Sequence, residues 1–402
     1  MSMWSVDSTY SDALFSAMNS QQGQMSTLAQ NALAQGADMY TKGNYSGAIQ
    51  QFKRAIALDS STQDTVVKAE NLLATVYIKQ GKTQDAIKAY QSSIAMYPTD
   101  DTAHLNLGNI YFNQQDYGKA EAEYKAAYRN NPSNSTNLFS LGQVYLSTGR
   151  YREAENAFKN VIKMTPAEYG GYYALGQTYS KEGRTQDAID QFQKVISLNK
   201  DFYNVHVDLG SAYADLGQMD KAQEQLSILQ SQSSDSNLSS LLNAYIDKVT
   251  KPQMIGAYNT SGFLTSIGPG TPIVALNSSL STPNATQQFS MKFIFSKAMD
   301  ATTVQNPYDW TITKSAPGSP GGAYNWGLKP PSTDVNISPI PVSVVYDADK
   351  LTATVTFNIQ QNSTATGTID PEHIMFSFRG KDAYGNSMDT TADQYSGISK
   401  FV

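Results

Sequence analysis

The 402-residue chain has no cysteine. That excludes disulfide staples, thiol nucleophiles and cysteine-held metal together. Histidine is nearly as scarce, with three in the whole chain, and no two of them stand at the spacing of a metal-binding pair or a proton relay. Charge is thin as well. Only 16% of residues are Asp, Glu, Lys or Arg, and the 29 basic against 35 acidic side chains leave a net charge of −6. Pro252–Val402 carries 8 basic and 10 acidic residues (−2), and the remainder carries 21 and 25 (−4). Neither part has the basic excess with which proteins neutralise phosphates, so no nucleic-acid partner is expected. No apolar run approaches the ~20 residues of a membrane-spanning helix, so no membrane span is expected. Glycine-rich phosphate loops, nucleophile–base pairs and metal-ligand spacings are missing too. The expectation is a non-enzymatic protein with no catalytic residue, no cofactor and no metal.

What the chain has is repetition. An Ala followed four residues later by a large apolar or aromatic side chain recurs at Ala48/Phe52, Ala86/Tyr90, Ala120/Tyr124, Ala154/Phe158, Ala188/Phe192 and Ala222/Leu226. The last four intervals are each 34 residues, and the first is 38 because Ser61–Asp64 is inserted between units. Nine residues before each Ala stands Met39, Tyr77, Tyr111, Tyr145, Tyr179 or Tyr213, and twelve before it Gly36, Ala74, Gly108, Gly142, Gly176 or Gly210. A fixed period of this length predicts stacked supersecondary units rather than one globular core. Within a unit the apolar residues recur at helical spacing on either side of a break. In the fourth, Leu138, Leu141, Gly142 and Tyr145 form one face, and Ala154, Phe158 and Val161 form the other. Gly43, Gly81, Gly149, Gly183 and Gly217 stand where the first helix must close in a left-handed residue. Pro98, Pro132 and Pro166 follow second helices.

The stretches Leu107–Pro132 and Leu141–Pro166 closely resemble the tetratricopeptide repeat, with Gln35, Ser60 and Lys200 as mild departures from its pattern. The resemblance implies an α-solenoid of six helix pairs at about 29–62, 67–100, 101–134, 135–168, 169–202 and 203–236, with a capping helix at 237–251. It also implies a protein or peptide partner, since this family generally serves as a binding scaffold. Residues 1–28 are expected to be a polar arm or an extra helix, and its Met18, Met25 and Leu28 are candidates for self-association.

After Lys251 the pattern changes to short alternating strands separated by turn-formers. Phe289, Met291, Phe293 and Phe295 alternate with polar residues. Val342, Val344 and Tyr346 lead through a turn into Leu351, Ala353, Val355, Phe357 and Ile359, and residues 373–388 give a further strand closed at Gly385-Asn386. The runs Phe293–Val304, Val344–Phe357 and Gly380–Met388 resemble the bacterial Ig-like domain of surface-layer and adhesin-type proteins. That resemblance implies an antiparallel sandwich over 271–402, with 252–270 as linker and 315–341 as an insertion. The fold class is therefore α + β multidomain, a solenoid followed by a sandwich that acts as spacer or anchor. The Ig-like resemblance and the absence of cysteine favour an extracytoplasmic or cell-surface location. Met1–Ser20, however, lacks the basic start and apolar core of a secretory signal, so a cytoplasmic location stands as the alternative.

Candidate sites follow from these placements. First helices are expected to line an inner face with Lys68, Asn71, Thr75, Leu105, Asn109, Phe112, Phe139, Gln143, Tyr173, Gln177 and Ser211. Asn109, Gln143 and Gln177 hold one place in three successive units, forming an amide ladder for a peptide backbone, and Phe112, Phe139 and Tyr173 offer apolar sockets. Family members that clamp acidic tails use converging basic and amide residues. Here Lys68 and Asn71 are followed in the next two units by Thr102, Leu105, Thr136 and Phe139, so an uncharged or apolar segment is expected instead. His104 and His206 fall at helix-packing positions. Asp347, Asp349, Asp382, Asn386 and Asp389 lie in turns that could gather oxygen ligands for Ca²⁺, although such residues dominate turns for conformational reasons alone. Tyr324 and Trp326, among glycines and prolines, form a possible contact loop. Two further readings are a self-assembling structural component of a bacterial surface or appendage and, less consistent with the missing acid/base pair, a carbohydrate-binding or enzymatic sandwich.

Overall fold

The computed structural model describes residues 8–59, 63–319 and 322–396. The chain divides into two compact units, Met1–Leu238 and Ser239–Val402. In the first, helices α1 (Ser8–Thr41), α2 (Tyr45–Leu58), α3 (Gln63–Lys79), α4 (Thr83–Met96), α5 (Asp101–Asn113), α6 (Tyr117–Asn130), α7 (Ser135–Ser147), α8 (Tyr151–Met164), α9 (Tyr169–Glu182), α10 (Thr185–Leu198), α11 (Asn204–Asp215) and α12 (Met219–Gln232) form six antiparallel pairs. Helix α13 (Ser236–Val249) follows, most of it within the second unit.

The periodic residues are what bring each pair together. All six anchor alanines are 0% exposed, which leaves no room for a larger side chain where the helices cross. The small residue of the first helix faces the ring on the second. A Cβ added at Gly36, Gly108, Gly142 or Gly176 would fall 2.5, 2.6, 2.6 or 2.5 Å from the ring of Phe52, Tyr124, Phe158 or Phe192. The break between helices closes through a left-handed residue, as at Gly149 (φ 74°), and in the third pair Gln115 takes that conformation (φ 61°) where the other pairs have glycine. Neighbouring pairs are stitched by ion pairs repeated one period apart, Arg150 to Glu121 at 2.9 Å and Arg184 to Glu155 at 3.0 Å. Each guanidinium also stacks over a tyrosine, Tyr145 at 4.3 Å and Tyr179 at 4.0 Å. First helices of successive pairs approach one another (α1–α3, α5–α7, α7–α9, α9–α11) more closely than second helices do. That difference puts the first helices on the inside of the superhelical curve.

At the N-terminal end residues 8–41 form one continuous helix of 34 residues, where the sequence suggested a separate arm or extra helix. Gly23 sits inside it with nothing within 4 Å. An exposed helical glycine costs about 1 kcal/mol relative to alanine, too little to end a helix of this length. Met1–Asp7 lie outside the described residues.

The second unit carries strands β1 (Met254–Asn259), β2 (Thr271–Pro272), β3 (Thr286–Phe295), β4 (Trp310–Lys314), β5 (Ser343–Asp347), β6 (Thr352–Gln360), β7 (Thr368–Ile369), β8 (Ile374–Phe378) and β9 (Gln394–Tyr395). They form an antiparallel four-stranded sheet in the order β1-β3-β6-β5, a three-stranded sheet β4-β8-β9, and a small β2-β7 pair. The inward residues of β3 expected from the sequence, Phe289, Met291, Phe293 and Phe295, are buried opposite Ala353, Val355 and Phe357 of β6. Rings from the two main sheets meet in one core: Phe293 lies 5.2 Å from Trp310 and 5.3 Å from Phe376, and Phe295 lies 5.5 Å from Phe378.

Two expectations are corrected here. Residues 254–259 are not linker but the edge strand of the larger sheet, with Ala257 opposite Phe293 and Tyr258 opposite Lys292. Val342 is exposed rather than part of the inward row, because β5 begins one residue later. The insertion at 315–341 is woven onto the sheets: Val335 N donates to Thr368 O, Ile312 N donates to Pro339 O, and Val335 is buried.

The C-terminal carbonyls of α13 are held by the sheet unit. Lys297, only 6% exposed at its side chain, donates to Asp247 O and, at 2.6 Å, to Thr250 O, and Asn386 Nδ2 donates to Lys248 O at 2.6 Å. A cation and an amide on the last turn satisfy carbonyls that the helix itself leaves open.

Candidate peptide-binding face

The inner side of the helical unit is built from the solvent-facing positions of α3, α5, α7, α9 and α11, each fixed in direction by the buried Gly or Ala and the buried or half-buried Tyr of the same helix. Toward the N-terminal end, Leu33, Ala34, Ala37, Lys68, Asn71 and Leu72 line a shallow depression of about 470 Å³. Lys68 is engaged by Asp64 on its own helix at 2.6 Å. Asn71 accepts from Thr75 Oγ1 through its backbone carbonyl at 2.8 Å, and its side-chain Oδ1 is sealed from water with no partner among the described residues.

One pair further on, Ile78, Tyr90, Asn106, Asn109 and Asn113 surround a second depression of about 400 Å³. Here the second helices contribute as well, although the expected lining came from first helices alone. The buried rings of Tyr90 and Tyr124 reach between first helices with their hydroxyls: Tyr124 donates to Asn109 Oδ1 at 2.8 Å, and Tyr90 bonds Thr75 and Asn106. Burial pushes the Tyr124 phenol well above its ordinary value, so the hydroxyl stays protonated and acts as a donor. The signal was present in the sequence, because Tyr replaces Phe at this slot in the second and third units alone.

Leu105, Phe112, Phe139 and Tyr173 are each half-buried on this side. Phe112 packs edge-on against Tyr117 at 5.5 Å, and Phe139 lies 5.5 Å from the buried Phe158. The three ladder amides are not equivalent. Exposed Asn109 has its oxygen occupied by Tyr124 and its amino group toward solvent. Gln143 is half-buried and bonds no protein group among the described residues. Gln177 is tied with Tyr173 to Asp208 of the next pair, the phenol donating at 2.7 Å. Burial pushes the Asp208 carboxyl above its ordinary value, against the opposing effect of these two hydrogen bonds and of Lys181. The arrangement therefore grades from amides and phenol hydroxyls at the second and third pairs, through the open Gln143 beside Phe139, to a closed Tyr173–Gln177–Asp208 cluster.

The remaining candidates resolve individually. His104 is buried, its Nδ1 2.7 Å from Glu123 Oε2 and its Nε2 3.2 Å from Pro98 O. His206 stands in the equivalent slot with its Nδ1 2.8 Å from Gln225 Oε1. Both act in packing, each partnered 19 residues further along the chain. The turn acids are occupied by local bonds. Asp347 pairs with Lys350 at 3.1 Å, Asp382 Oδ1 accepts from Tyr384 N and Asn386 N, and Asp389 Oδ1 accepts from Thr391 N. In the insertion Tyr324 is only 7% exposed, which corrects its expected place in a contact loop. Its hydroxyl donates to Asp334 Oδ1 at 2.6 Å and accepts from Asp370 N at 3.1 Å. Trp326 remains 72% exposed.

No helix among the described residues is long and apolar enough to cross a membrane. Comparison with family models matches tetratricopeptide repeats at residues 71–135 and 139–201, and again at 179–245. Comparison with curated proteins returns no match. Among solved structures, a tetratricopeptide repeat protein from Parabacteroides merdae ATCC 43184 is similar at 18% identity, over 55% of this chain and 86% of that one, with a TM-score of 0.48. Pseudomonas aeruginosa pilF is similar at 17% identity over 55% and 99%, with a TM-score of 0.46. YrrB, described as a TPR protein with an unusual peptide-binding site, is similar at 21% identity over 48% and 97%, with a TM-score of 0.41. Residues 71–135 and 139–245 thus carry tetratricopeptide repeats, a fold that generally mediates protein–protein interaction.

Proposed function

We propose that the protein is a non-enzymatic interaction scaffold whose repeat unit binds an uncharged or apolar peptide segment on its inner face, across Asn71, Thr75, Leu105, Asn109, Phe112, Phe139 and Gln143. The observation that carries the reading is the juxtaposition of open amide groups with half-buried rings on one run of first helices. The Asn109 amino group and Gln143 are available to a peptide backbone, and Leu105, Phe112 and Phe139 supply apolar contact beside them. Uncharged ligands are favoured because the basic group on this run, Lys68, is already paired with Asp64. Tyr173 and Gln177 hold Asp208 and close the run at its C-terminal end.

The sandwich serves as a spacer or anchor of Ig-like type. Support for that type is the strand order. Taking β1, β3, β4, β5, β6, β8 and β9 as seven successive strands, the two sheets follow the ABED and CFG order of a constant-type Ig sandwich. An extracytoplasmic setting would suit such a domain. Self-assembly is the second reading, and the observation favouring it is the exposed row of Met18, Met25 and Leu28 on α1.

Selection of a random-peptide phage library on the full chain tests the first reading. Enrichment of uncharged, apolar sequences that bind wild type but not Asn109→Ala/Phe139→Ala/Gln143→Ala is the expected result. Peptides that bind both proteins equally would remove the inner face from the account. Light scattering across concentration decides the second, since a mass that grows with concentration and is restored to monomer by Met18→Ser/Leu28→Ser marks assembly through α1.

A further inference from the structure

We infer that the sandwich holds one divalent transition-metal ion of the Zn²⁺ class at Asp370, Glu372 and His373, a site that the scarcity of histidine concealed. Among the described residues one group of three metal-capable side chains converges, and it is this one, with its donor atoms all within 4.8 Å of one another. Asp370 and His373 are almost wholly buried, and Glu372 is half-buried, so the group opens to solvent on one side only. The order Asp-Pro-Glu-His puts all three on a single 3₁₀ turn, Pro371–His373, with Asp370 as its cap.

A second observation points to an occupant. Asp370 is 1% exposed, and its Oδ2 is already engaged by Asn325 N at 2.7 Å and His373 Nδ1 at 2.7 Å. Its other oxygen, Oδ1, is sealed from water and has no hydrogen-bond partner among the described residues. Ser315, whose backbone N–H donates to His373 O and whose carbonyl accepts from Tyr324 N, also buries its Oγ without a partner among the described residues, at 4% exposure. An orphaned carboxylate oxygen at 1% exposure is costly unless a cation or a donor meets it.

The donor set selects the ion. Ca²⁺ takes six to eight oxygens, and this turn offers two carboxylates and an imidazole. An imidazole with one or two carboxylates and a water is a zinc-type set. The three donor atoms already lie within 4.8 Å of one another, and Glu372 is the member with solvent access.

The site also reaches the exposed tryptophan. Asn325 and Trp326 hold left-handed backbone (φ 50° and 54°), a conformation costly for a bulky side chain. Their turn is pinned by Asp370 itself, through Asn325 N and the Tyr324 hydroxyl. Filling the site would therefore fix the turn that displays Trp326.

Titration of the full, chelator-treated chain with Zn²⁺, and in parallel with Ca²⁺ and Mg²⁺, tests this by competition with a zinc indicator, tryptophan fluorescence and thermal unfolding. One Zn²⁺ per chain, a fluorescence change abolished by Trp326→Phe, and affinity reduced about tenfold or more by Glu372→Gln are the expected results. Glu372→Gln is the deciding variant because its side chain is half-exposed and folding tolerates the change. Asp370→Asn should weaken binding further if it folds. No stoichiometric Zn²⁺ binding, Zn²⁺ binding indifferent to Glu372→Gln, or a stronger response to Ca²⁺ would each overturn the assignment.

Discussion

Replacing Gly142 by Ala and Gly118 by Ala are chemically identical changes to helical residues, and the packing of the repeats requires them to differ. At Gly142 the new methyl would sit 2.6 Å from Phe158 Cε1 and 2.9 Å from Cζ, both far inside van der Waals contact. The ring can move aside only by shifting its neighbours, because Phe158 is completely buried and also meets Phe139 at 5.5 Å. At Gly118, on the outer surface of α6, nothing lies within 4 Å. Each substitution gains up to about 1 kcal/mol of helix propensity, less at Gly118 because it lies in the first turn. Only Gly142→Ala incurs the strain of overpacking, about 1–3 kcal/mol. Ala74 occupies the equivalent place beside Tyr90 in the second pair, which shows that the packing can widen to admit a methyl and puts the expected strain toward the low end of that range. Urea unfolding followed by circular dichroism should place Gly142→Ala below wild type or level with it, and Gly118→Ala level or above, with the two separated by about 1–2 kcal/mol. Equal shifts of the same sign would refute the view that the glycine–ring contact sets the spacing within each pair.

Further outcomes follow from single groups. The Glu123 carboxylate beside His104 raises its imidazole above the ordinary value. Stability from that pair is then complete below the unfolded pKa of about 6.5 and is lost as pH climbs through the higher folded value. The stability difference between wild type and His104→Gln should be largest near pH 6 and shrink by pH 9, and a difference independent of pH would contradict the pairing. Lys297→Met keeps the aliphatic stem but removes the donor to Asp247 O and Thr250 O and the 3.5 Å charge partner of buried Asp382. A loss of about 2–4 kcal/mol, with faster hydrogen exchange at the end of α13, is expected. Unchanged exchange there would show that the helix end is held by something else.

Most of the repeat unit was legible from the sequence because its packing is periodic. Ala120, Tyr124, Gly108 and Tyr111 each repeat at fixed offsets, and each offset corresponds to one contact within a helix pair. The left-handed turn at Gln115 was not legible, because a tolerated non-glycine in that conformation leaves no trace in composition. Strand β1 was missed for a related reason: Met254, Gly256 and Tyr258 give weak alternation, and pairing with β3 alone defines the strand. In the candidate face the residue positions could be read, but their hydrogen bonds could not. That Gln177 is spent on Asp208, or that Tyr124 reaches Asn109, depends on side chains 31 and 15 residues apart meeting across a helix interface. Tyr324 and Trp326 share a loop and differ tenfold in exposure because one hydroxyl finds Asp334 and Asp370 beneath the turn.

The central claim is that an uncharged or apolar peptide lies across α3, α5 and α7 on the inner side of the repeats. Calorimetric titration of a library-selected peptide into wild type and into Asn109→Ala/Phe139→Ala/Gln143→Ala measures it most directly, with unfolding midpoints recorded for both. The account predicts affinity at least about tenfold weaker in the variant, about 1.4 kcal/mol, while the variant remains folded at the assay temperature. Equal affinity in the two folded proteins would contradict it and move the binding surface elsewhere on the molecule.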